Sequence, residues 1–218
     1  MGASKIVMKP FHRGAEANLF LSTIDQWKVV VKQRISKAYR NASLDDKIRR
    51  ERTLSEVSIM HDAKAAGVKV PSITGVQPET NTFSMTFVDG TLARDCLDGM
   101  SPRDATKLFE KLGAMIGLLH SGGIVHGDLT TSNIVVTLDG DPFLVDFGMA
   151  RRSPDPEDRG VDLHLLQRSI VTSHLKDASP LVKALSTGYT KTAGRTIQES
   201  SWAKAREISR RGRYFAIR

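Results

Sequence analysis

The sequence is poor in the residues that build disulfide or zinc sites. Cys96 is the single cysteine among 218 residues, so no disulfide can form within the chain, as is typical of a reducing compartment. The six histidines show no paired metal-ligand spacing and have no cysteines to support them, so we predict no zinc site. We expect Cys96 to be a small, at least half-buried side chain rather than a nucleophile.

Long hydrophobic runs are also absent. No apolar stretch approaches the ~20 residues that a membrane-spanning helix needs, and the first ten residues lack the pattern of a signal peptide. We therefore expect no membrane association and a cytoplasmic location. The content of 40% apolar and 26% charged residues is ordinary for a globular protein with one domain or two small lobes.

Negative charge is in deficit. There are 32 Lys and Arg residues against 24 Asp and Glu, which gives a formal net charge of +8. Such a surplus favours an anionic partner, such as nucleic acid or an acidic protein. The basic residues concentrate in 32–52 and in 195–218, and the second segment carries a local net charge of +5 from seven basic and two acidic residues.

Strand patterns dominate the first 88 residues, with one helix among them. Strands are predicted at 27–32, 72–76 and 82–88, with a strand and turn over 11–21. Ser43 and Asp46 have the spacing of a helix capping box, and Gly67 is a predicted helix stop. Between them Glu56, Ile59, Met60 and Ala63 share one helix face.

Helical patterns dominate the rest of the chain. Ser101, Pro102 and Asp104 predict a helix start, and Gly122-Gly123 predicts its end. Short strands are expected at 134–137 and 143–145 around the Asp139-Gly140 turn, and further helices at Ser179-Pro180 and at Thr196 with Glu199. The segregation predicts an α+β, two-lobed protein, with lobes at 1–88 and 89–218 and a basic tail from 206 to 218.

One pair of short motifs carries the chemistry. Asp128 and Asn133 lie five positions apart, and Asp146 lies eighteen beyond Asp128 and opens Asp-Phe-Gly. This spacing matches the catalytic and magnesium-binding loops of protein kinases. Asn133 and Asp146 could hold Mg²⁺ against a triphosphate, while Asp128 could orient the attacking oxygen and accept its proton.

Upstream residues complete the pattern in the expected order. Lys32 ends a β-branched strand, where a kinase lysine would reach the phosphates of ATP, and Glu56 on the next helix could pair with it. Gly14, Ala15, Glu16 and Ala17 stand where a glycine-rich loop should be, although the repeated glycines are missing. Each feature alone is weak, and their order and spacing together make a chance match improbable. Adenine is expected beside Met85 and Val88.

At this point the sequence resembles a known family, the small atypical kinase/ATPase subunit of the KEOPS tRNA-modifying complex. The His-Gly-Asp-Leu-Thr-Thr-Ser-Asn string at 126–133 is highly specific to that family. Further similarity covers nearly the whole chain, at residues 11–19, 30–40, 44–45, 52–56, 125 and 210–214.

The resemblance implies a bilobal protein-kinase-like fold with a reduced C-terminal lobe, and ATP and Mg²⁺ as cofactors. It implies partners, namely the threonylcarbamoyl-transferase subunit, a small helical subunit on the N-terminal lobe, and tRNA. It also implies ATP hydrolysis that supports N6-threonylcarbamoyladenosine formation at position 37 of tRNAs reading codons that begin with A, together with serine/threonine phosphorylation.

Departures from ordinary protein kinases narrow the expected activity. Gly127 replaces the usual arginine, and Thr130 replaces a lysine that many kinases use on the transferred phosphoryl group. Only fifteen residues separate Asp146 from Asp162, and no Ala-Pro-Glu motif follows. These features favour water, or a narrow set of hydroxyls, as the acceptor. Asp162 resembles a buried brace of the catalytic loop, although a plain N-terminal helix charge is the alternative.

The basic tail and the catalytic set each have a second interpretation. Arg210, Arg211 and Arg213, interleaved with aromatic residues, suit tRNA contact, whereas a solvated amphipathic helix would show the same charges. The chain could instead be a catalytically silent scaffold between the transferase and tRNA, or a free-standing kinase of another atypical family. The filled catalytic positions argue against the first, and the family-specific string against the second.

Overall fold

Strands dominate the first part of the chain and helices the second, so the predicted α+β class is confirmed. A computed structural model describes residues 10–173 and 178–215, without the side chains of 172–173 and 212–215. The chain forms two units, the first made of residues up to 61 and 71–88, the second of 62–70 and the chain from 89 onwards. The predicted lobe boundary after 88 stays a prediction, and 62–70 belong to the second unit.

An antiparallel sheet of five strands, in the order β1-β2-β3-β5-β4, forms the first unit. The strands are β1 (His12–Arg13), β2 (Ala17–Ile24), β3 (Trp27–Arg34), β4 (Ile73–Gln77) and β5 (Thr82–Thr86). Asp25 and Gln26 have positive φ angles in the β2–β3 connection, as a two-residue hairpin turn requires. Lys32 lies opposite Leu19 on β2 and Phe83 on β5, in the middle of the sheet.

Helix α1 (Ala42–Ala65) is capped differently from the prediction. The predicted capping box of Ser43 and Asp46 is wrong, because the N-cap is Asn41. Its Oδ1 accepts hydrogen bonds from the backbone N–H groups of Ser43 (3.0 Å) and Leu44 (3.4 Å). Asparagine is as good an N-cap as serine. The Asp46 carboxylate instead accepts a hydrogen bond from Nδ2 of Asn81 at 2.7 Å.

The end of α1 follows the prediction. Gly67 has a φ of 88°, and its N–H donates to the carbonyl of Lys64 at 3.0 Å while that of Val68 donates to Ala63 at 3.0 Å. These two bonds define the Schellman termination that favours glycine. The predicted inward face of the helix is confirmed, since Glu56, Ile59, Met60 and Ala63 are all buried.

The second unit is mainly helical. Its helices are α2 (Ala93–Cys96), α3 (Pro102–Ser121), α4 (Pro156–Ser173) and α5 (Ser179–Phe215). Its short strands are β6 (Thr91–Leu92), β7 (Ile124–Val125), β8 (Ile134–Val136), β9 (Pro142–Leu144) and β10 (Arg151–Arg152). The predicted cap of α3 is confirmed, because the N–H of Asp104 donates to Oγ of Ser101 at 3.2 Å. Among the described residues, no helix combines the length and apolarity of a membrane span.

Helices α3 and α5 approach each other through glycines. A Cβ added at Gly113 would lie 2.0 Å from the carbonyl oxygen of Leu185, and one at Gly188 would lie 1.9 Å from that of Glu110. The predicted apolar stripe of α3 is confirmed, since Ala105, Leu108, Phe109, Leu112, Ile116 and Leu119 are all buried. The core of the second unit therefore lies along this helix pair.

Helix α5 is interrupted at Gly194, whose φ of 77° and ψ of 166° are not helical. The helix start predicted at Thr196 falls just beyond this break. The segment after it, 195–215, packs on α4 and buries Ser201 and Trp202. A Cβ at Gly160 on α4 would lie 2.6 Å from Cβ of Lys204, so these two helices are also in close contact.

Candidate active site

The segment 126–133 leaves β7 and enters β8, and buried apolar residues fix its path. β7 pairs with β10 and β8 pairs with β9, so both ends of the segment are held in antiparallel ladders. Leu129 and Thr131 are almost fully buried, whereas Asp128 between these ladders is exposed. The buried side chains of Leu129 and Thr131 anchor the loop, while the Asp128 carboxylate stays exposed.

Asn133 and Asp128 are in direct contact. Nδ2 of Asn133 donates to the carbonyl oxygen of Asp128 at 2.8 Å and to its carboxylate Oδ2 at 2.9 Å. With Nδ2 used in this way, Oδ1 is the atom that Asn133 would offer to a cation. The five-residue spacing in the sequence therefore brings together the two residues that it singled out.

Asp146 follows β9 on a neighbouring segment that is bonded to this loop. The N–H of Val145 donates to the carbonyl of Asn133 at 3.0 Å, and Nε2 of His126 donates to the carbonyl of Val145 at 3.1 Å. Phe147 is buried, with its ring centroid 4.8 Å from that of His126. Asp146 itself is exposed and has a φ of 60°, a conformation that aspartate tolerates better than most residues.

Gly127 is required by its surroundings. Its φ is 79°, and an added Cβ would lie 2.4 Å from the carbonyl oxygen of Met149, in the segment after Asp-Phe-Gly. An arginine at this position would meet that backbone oxygen. The departure from the usual kinase motif therefore has a steric cause in this chain.

Asp162 on α4 is buried and braces the backbone directly before Asp128, as the brace interpretation expected, so it is not a plain N-terminal helix charge. Its Oδ2 accepts from the N–H of His126 at 2.6 Å, and its Oδ1 accepts from the N–H of Gly127 at 2.8 Å. Burial alone raises the pKa of Asp162, but hydrogen bonds and charge from His120 and His126 outweigh it and leave this pKa below its ordinary value. Asp162 is therefore an ionised, buried anchor for this backbone.

Lys32 and Glu56 form a buried ion pair within the first unit. Nζ of Lys32 lies 2.6 Å from Oε1 of Glu56. The second oxygen, Oε2, lies 2.5 Å from Nη2 of Arg34, which also donates to the backbone carbonyl of Arg52 at 3.4 Å. Glu56 therefore holds two cations from one face of β3.

The turn between β1 and β2 contains the predicted phosphate-loop residues. The N–H of Gly14 donates to the carbonyl of Ala17 at 3.0 Å, which closes the turn. Glu16 pairs with Arg52 of α1 at 2.7 Å, and Nζ of Lys37 donates to the carbonyl of Ala15 at 2.5 Å. Side-chain contacts hold this turn in place where ordinary kinases use repeated glycines.

The other predicted contact residues occupy different parts of the chain. Met85 is buried on β5, and Val88 is half-buried beyond its end. Arg211 on α5 pairs with Glu157 of α4 at 3.0 Å and with Glu207. Arg210 is exposed, and the side chain of Arg213 lies outside the described residues.

Arg34, His120 and Tyr189 are residues of interest that the sequence reasoning missed. Arg34 had a signal, since it lies two positions beyond Lys32 and so faces the same side of the strand. His120 and Tyr189 are buried and bonded to each other and, through His120, to Asp162. They are 69 residues apart, so no local pattern could have joined them.

The donor set at Asn133 and Asp146 fits magnesium. Within the described residues, no group of three or more His, Cys, Asp or Glu side chains could hold a metal ion. One carboxylate and one amide oxygen are hard oxygen donors, and Mg²⁺ is commonly bound by one or two protein ligands together with substrate phosphates and water. The residues present therefore suit Mg²⁺ that arrives with a nucleotide.

These features define a class of protein. The sheet with its buried lysine–glutamate pair, and the Asp128 loop followed by Asp-Phe-Gly, are those of a protein-kinase-like fold. Residues 15–167 match the RIO domain, and the chain belongs to the RIO-domain family of kinase-like proteins.

Curated relatives are similar over most of this chain. It is 37% identical to the KEOPS complex subunit Bud32 of Pyrococcus abyssi, over 95% of this chain and 96% of that protein. It is 40% identical to a probable bifunctional tRNA threonylcarbamoyladenosine biosynthesis protein of Methanothermobacter thermautotrophicus, over 93% of this chain and 36% of that protein. A protein of the same description from Methanosarcina mazei is 39% identical over 92% of the chain. The chain thus spans about a third of the bifunctional relatives' length.

Proposed function

We propose that the chain hydrolyses ATP and also phosphorylates a narrow set of serine or threonine hydroxyls. The observation that carries the proposal is the contact between Asn133 Nδ2 and the Asp128 carboxylate at 2.9 Å, beside the backbone bond from Val145 to Asn133. These two bonds connect the proposed base Asp128, the proposed magnesium ligand Asn133 and Val145, the residue before Asp146. A silent scaffold has no need for this arrangement.

Each residue has a role set by its chemistry. Oδ1 of Asn133 and the carboxylate of Asp146 would hold Mg²⁺, which when bound supplies charge neutralisation for the phosphates. Asp128 would orient a water or hydroxyl and accept its proton. In the first unit, Lys32 would bind the phosphates, with Glu56 holding its ammonium group in place.

Nucleotide contacts in the first unit complete the proposal. The turn made by Gly14, Ala15, Glu16 and Ala17 would lie over the phosphates, and Met85 and Val88 would contact adenine. The absence of a lysine at Thr130 disfavours transfer to a peptide, because the transferred group loses a stabilising charge. Water is therefore the favoured acceptor.

The relatives point to the setting of this activity. Because a KEOPS complex subunit is similar over 95% of the chain, we propose that the chain works in such a complex and supports N6-threonylcarbamoyladenosine formation at position 37 of tRNAs reading codons that begin with A. The bifunctional relatives add a larger segment to the matched part. The proposed partners are accordingly the threonylcarbamoyl-transferase subunit, a small helical subunit on the N-terminal unit, and tRNA.

Magnesium-dependent ATP hydrolysis by the chain with its transferase partner tests the proposal. We expect Asp128→Ala to lower kcat by about a hundredfold or more, since a positioned base contributes roughly 10²–10⁴. Asp139→Ala is the matched control, because Asp139 is an exposed carboxylate in the β8–β9 turn, and it should retain the wild-type rate. Chelation of Mg²⁺ should abolish hydrolysis. Equal rates in wild type and Asp128→Ala would refute catalysis and favour the scaffold.

A further inference from the structure

A continuous series of buried polar side chains runs through the second unit to the catalytic loop. Nε of Arg159 lies 3.0 Å from Oγ of Ser201, which lies 3.3 Å from the Tyr189 hydroxyl. That hydroxyl lies 2.9 Å from Nδ1 of His120, whose Nε2 lies 3.2 Å from Oδ2 of Asp162. Helices α3, α4 and α5 all contribute to this series, which we call the buried relay.

Hydrogen-bonding chemistry fixes both ends of the buried relay. Asp162 only accepts, so Nε2 of His120 carries a proton and donates to it. Arg159 only donates, so Oγ of Ser201 accepts from it, and the same oxygen accepts from the Tyr189 hydroxyl. The Tyr189 hydroxyl also bonds to Nδ1 of His120, so it is the group that joins the two ends.

The surroundings make each of these bonds costly to remove. Tyr189, Asp162 and Ser201 have no solvent exposure, and His120 has 1%. Burial raises the pKa of Tyr189 to about 12, so its hydroxyl is a proton donor at neutral pH. A buried polar group that loses its partner cannot turn to water and must move or remain unsatisfied.

The buried relay ends on the residue that holds the catalytic loop. Asp162 also accepts from the N–H groups of His126 and Gly127, directly before Asp128. Toward its other end, which is Arg159, the buried relay includes Ser201 of the α5 segment after Gly194. One hydrogen-bonded network therefore connects the last α5 segment to the backbone directly before Asp128, the proposed base.

We propose that His120 and Tyr189 are positioning residues for Asp128, which transmit the docking of the last α5 segment to the catalytic loop through Asp162. The inference rests on the proposed ATP hydrolysis for its kinetic consequence. Its structural consequence, the order of the His126 and Gly127 amides, is independent of catalysis.

Tyr189→Phe is the direct test, because it removes one hydroxyl and keeps the ring in the core. Thr192→Val is the matched control, since Oγ1 of Thr192 donates to the carbonyl of Ala114 at 2.7 Å across the same α3–α5 contact but outside the buried relay. We expect Tyr189→Phe to lower kcat for ATP hydrolysis about tenfold with KM within about twofold, because small misplacements of catalytic groups have large effects. Thr192→Val should leave both constants unchanged.

Amide hydrogen exchange on the full-length chain supplies the second measurement. In Tyr189→Phe the amides of His126 and Gly127 should exchange faster, whereas in Thr192→Val they should not, even where the two variants melt at the same temperature. Unchanged exchange in Tyr189→Phe, or the same change in both variants, would overturn the proposal. If the wild type hydrolyses no ATP, the proposed function fails, while amide exchange still decides the role of Tyr189.

Discussion

At the scale of single residues, Glu56 is the clearest departure from the pattern that the sequence suggested. The sequence predicted one partner, Lys32, and the structure gives it two, because Arg34 occupies the second carboxylate oxygen. Arg34 also bonds to the backbone of α1 through the carbonyl of Arg52. Glu56 therefore cannot move away from Lys32 without also breaking its pair with Arg34, and the pair that would orient ATP is fixed in place.

Loss of Arg34 should destabilise the chain far more than loss of an exposed arginine. Lys32 would still neutralise Glu56, but the buried Oε2 of that carboxylate would lose its partner and the bond to the Arg52 carbonyl would be lost. Arg34→Gln should therefore lower the free energy of unfolding by about 2 kcal/mol. Arg52→Gln is the control, since its pair with Glu16 is solvent-exposed and such pairs are worth about 1 kcal/mol or less. Urea denaturation of both variants gives the comparison, and equal losses would contradict the buried role of Arg34.

The site residues that the sequence singled out together lie close along the chain. Asp128 and Asn133 belong to one short segment, and the structure brings them into contact. His120 and Tyr189 meet only because α3 and α5 pack together, and neither residue carries a motif. Sequence spacing can indicate residues that act together within one segment, whereas partners on distant helices are found only in the folded chain.

The same distinction holds at the scale of helices and strands. Ser101 caps the start of α3 and Gly67 ends α1, each through a bond to a residue three positions away, and both were predicted. The start of α1 was misplaced by two residues, because Asn41 and Ser43 are both good caps and only the fold selects between them. The close approach of α3 to α5 had no signal, since a glycine in a helix does not reveal which backbone will face it.

Gly188 should be the least replaceable residue of that helix contact. A Cβ at Gly188 would lie 1.9 Å from the carbonyl of Glu110, so Gly188→Ala must push the two helices apart. We expect a loss of about 3 kcal/mol in the free energy of unfolding, the upper range for overpacking. Gly99→Ala is the control, because nothing lies within 4 Å of an added Cβ there, and its melting temperature should match the wild type. A stable Gly188→Ala protein would show that the helices adjust freely.

At the scale of the whole molecule, the basic side chains behind the net charge of +8 are not all equally available to an anionic partner. Arg211 is engaged with Glu157 and Glu207, and the hydrogen bond to Glu207 raises its pKa. Lys204 pairs with the same two carboxylates. These contacts fasten the last segment of α5 to α4. Within the described part of the chain no ion pair holds Arg210, so of the predicted tRNA contacts it is better placed than Arg211 to meet a phosphate.

Arg210→Gln should therefore weaken tRNA binding without weakening the fold. One lost phosphate contact should lower affinity a few-fold at low salt and reduce the slope of log affinity against log salt by about 1. Arg195→Gln is the control, because Arg195 is an exposed arginine of the same segment, about 22 Å away along the helix at 1.5 Å per residue. Titrations of tRNA at several salt concentrations measure both quantities. If Arg210→Gln binds like the wild type, or if Arg195→Gln loses as much, the tail does not contact tRNA through Arg210 and the surplus charge acts only as a diffuse field.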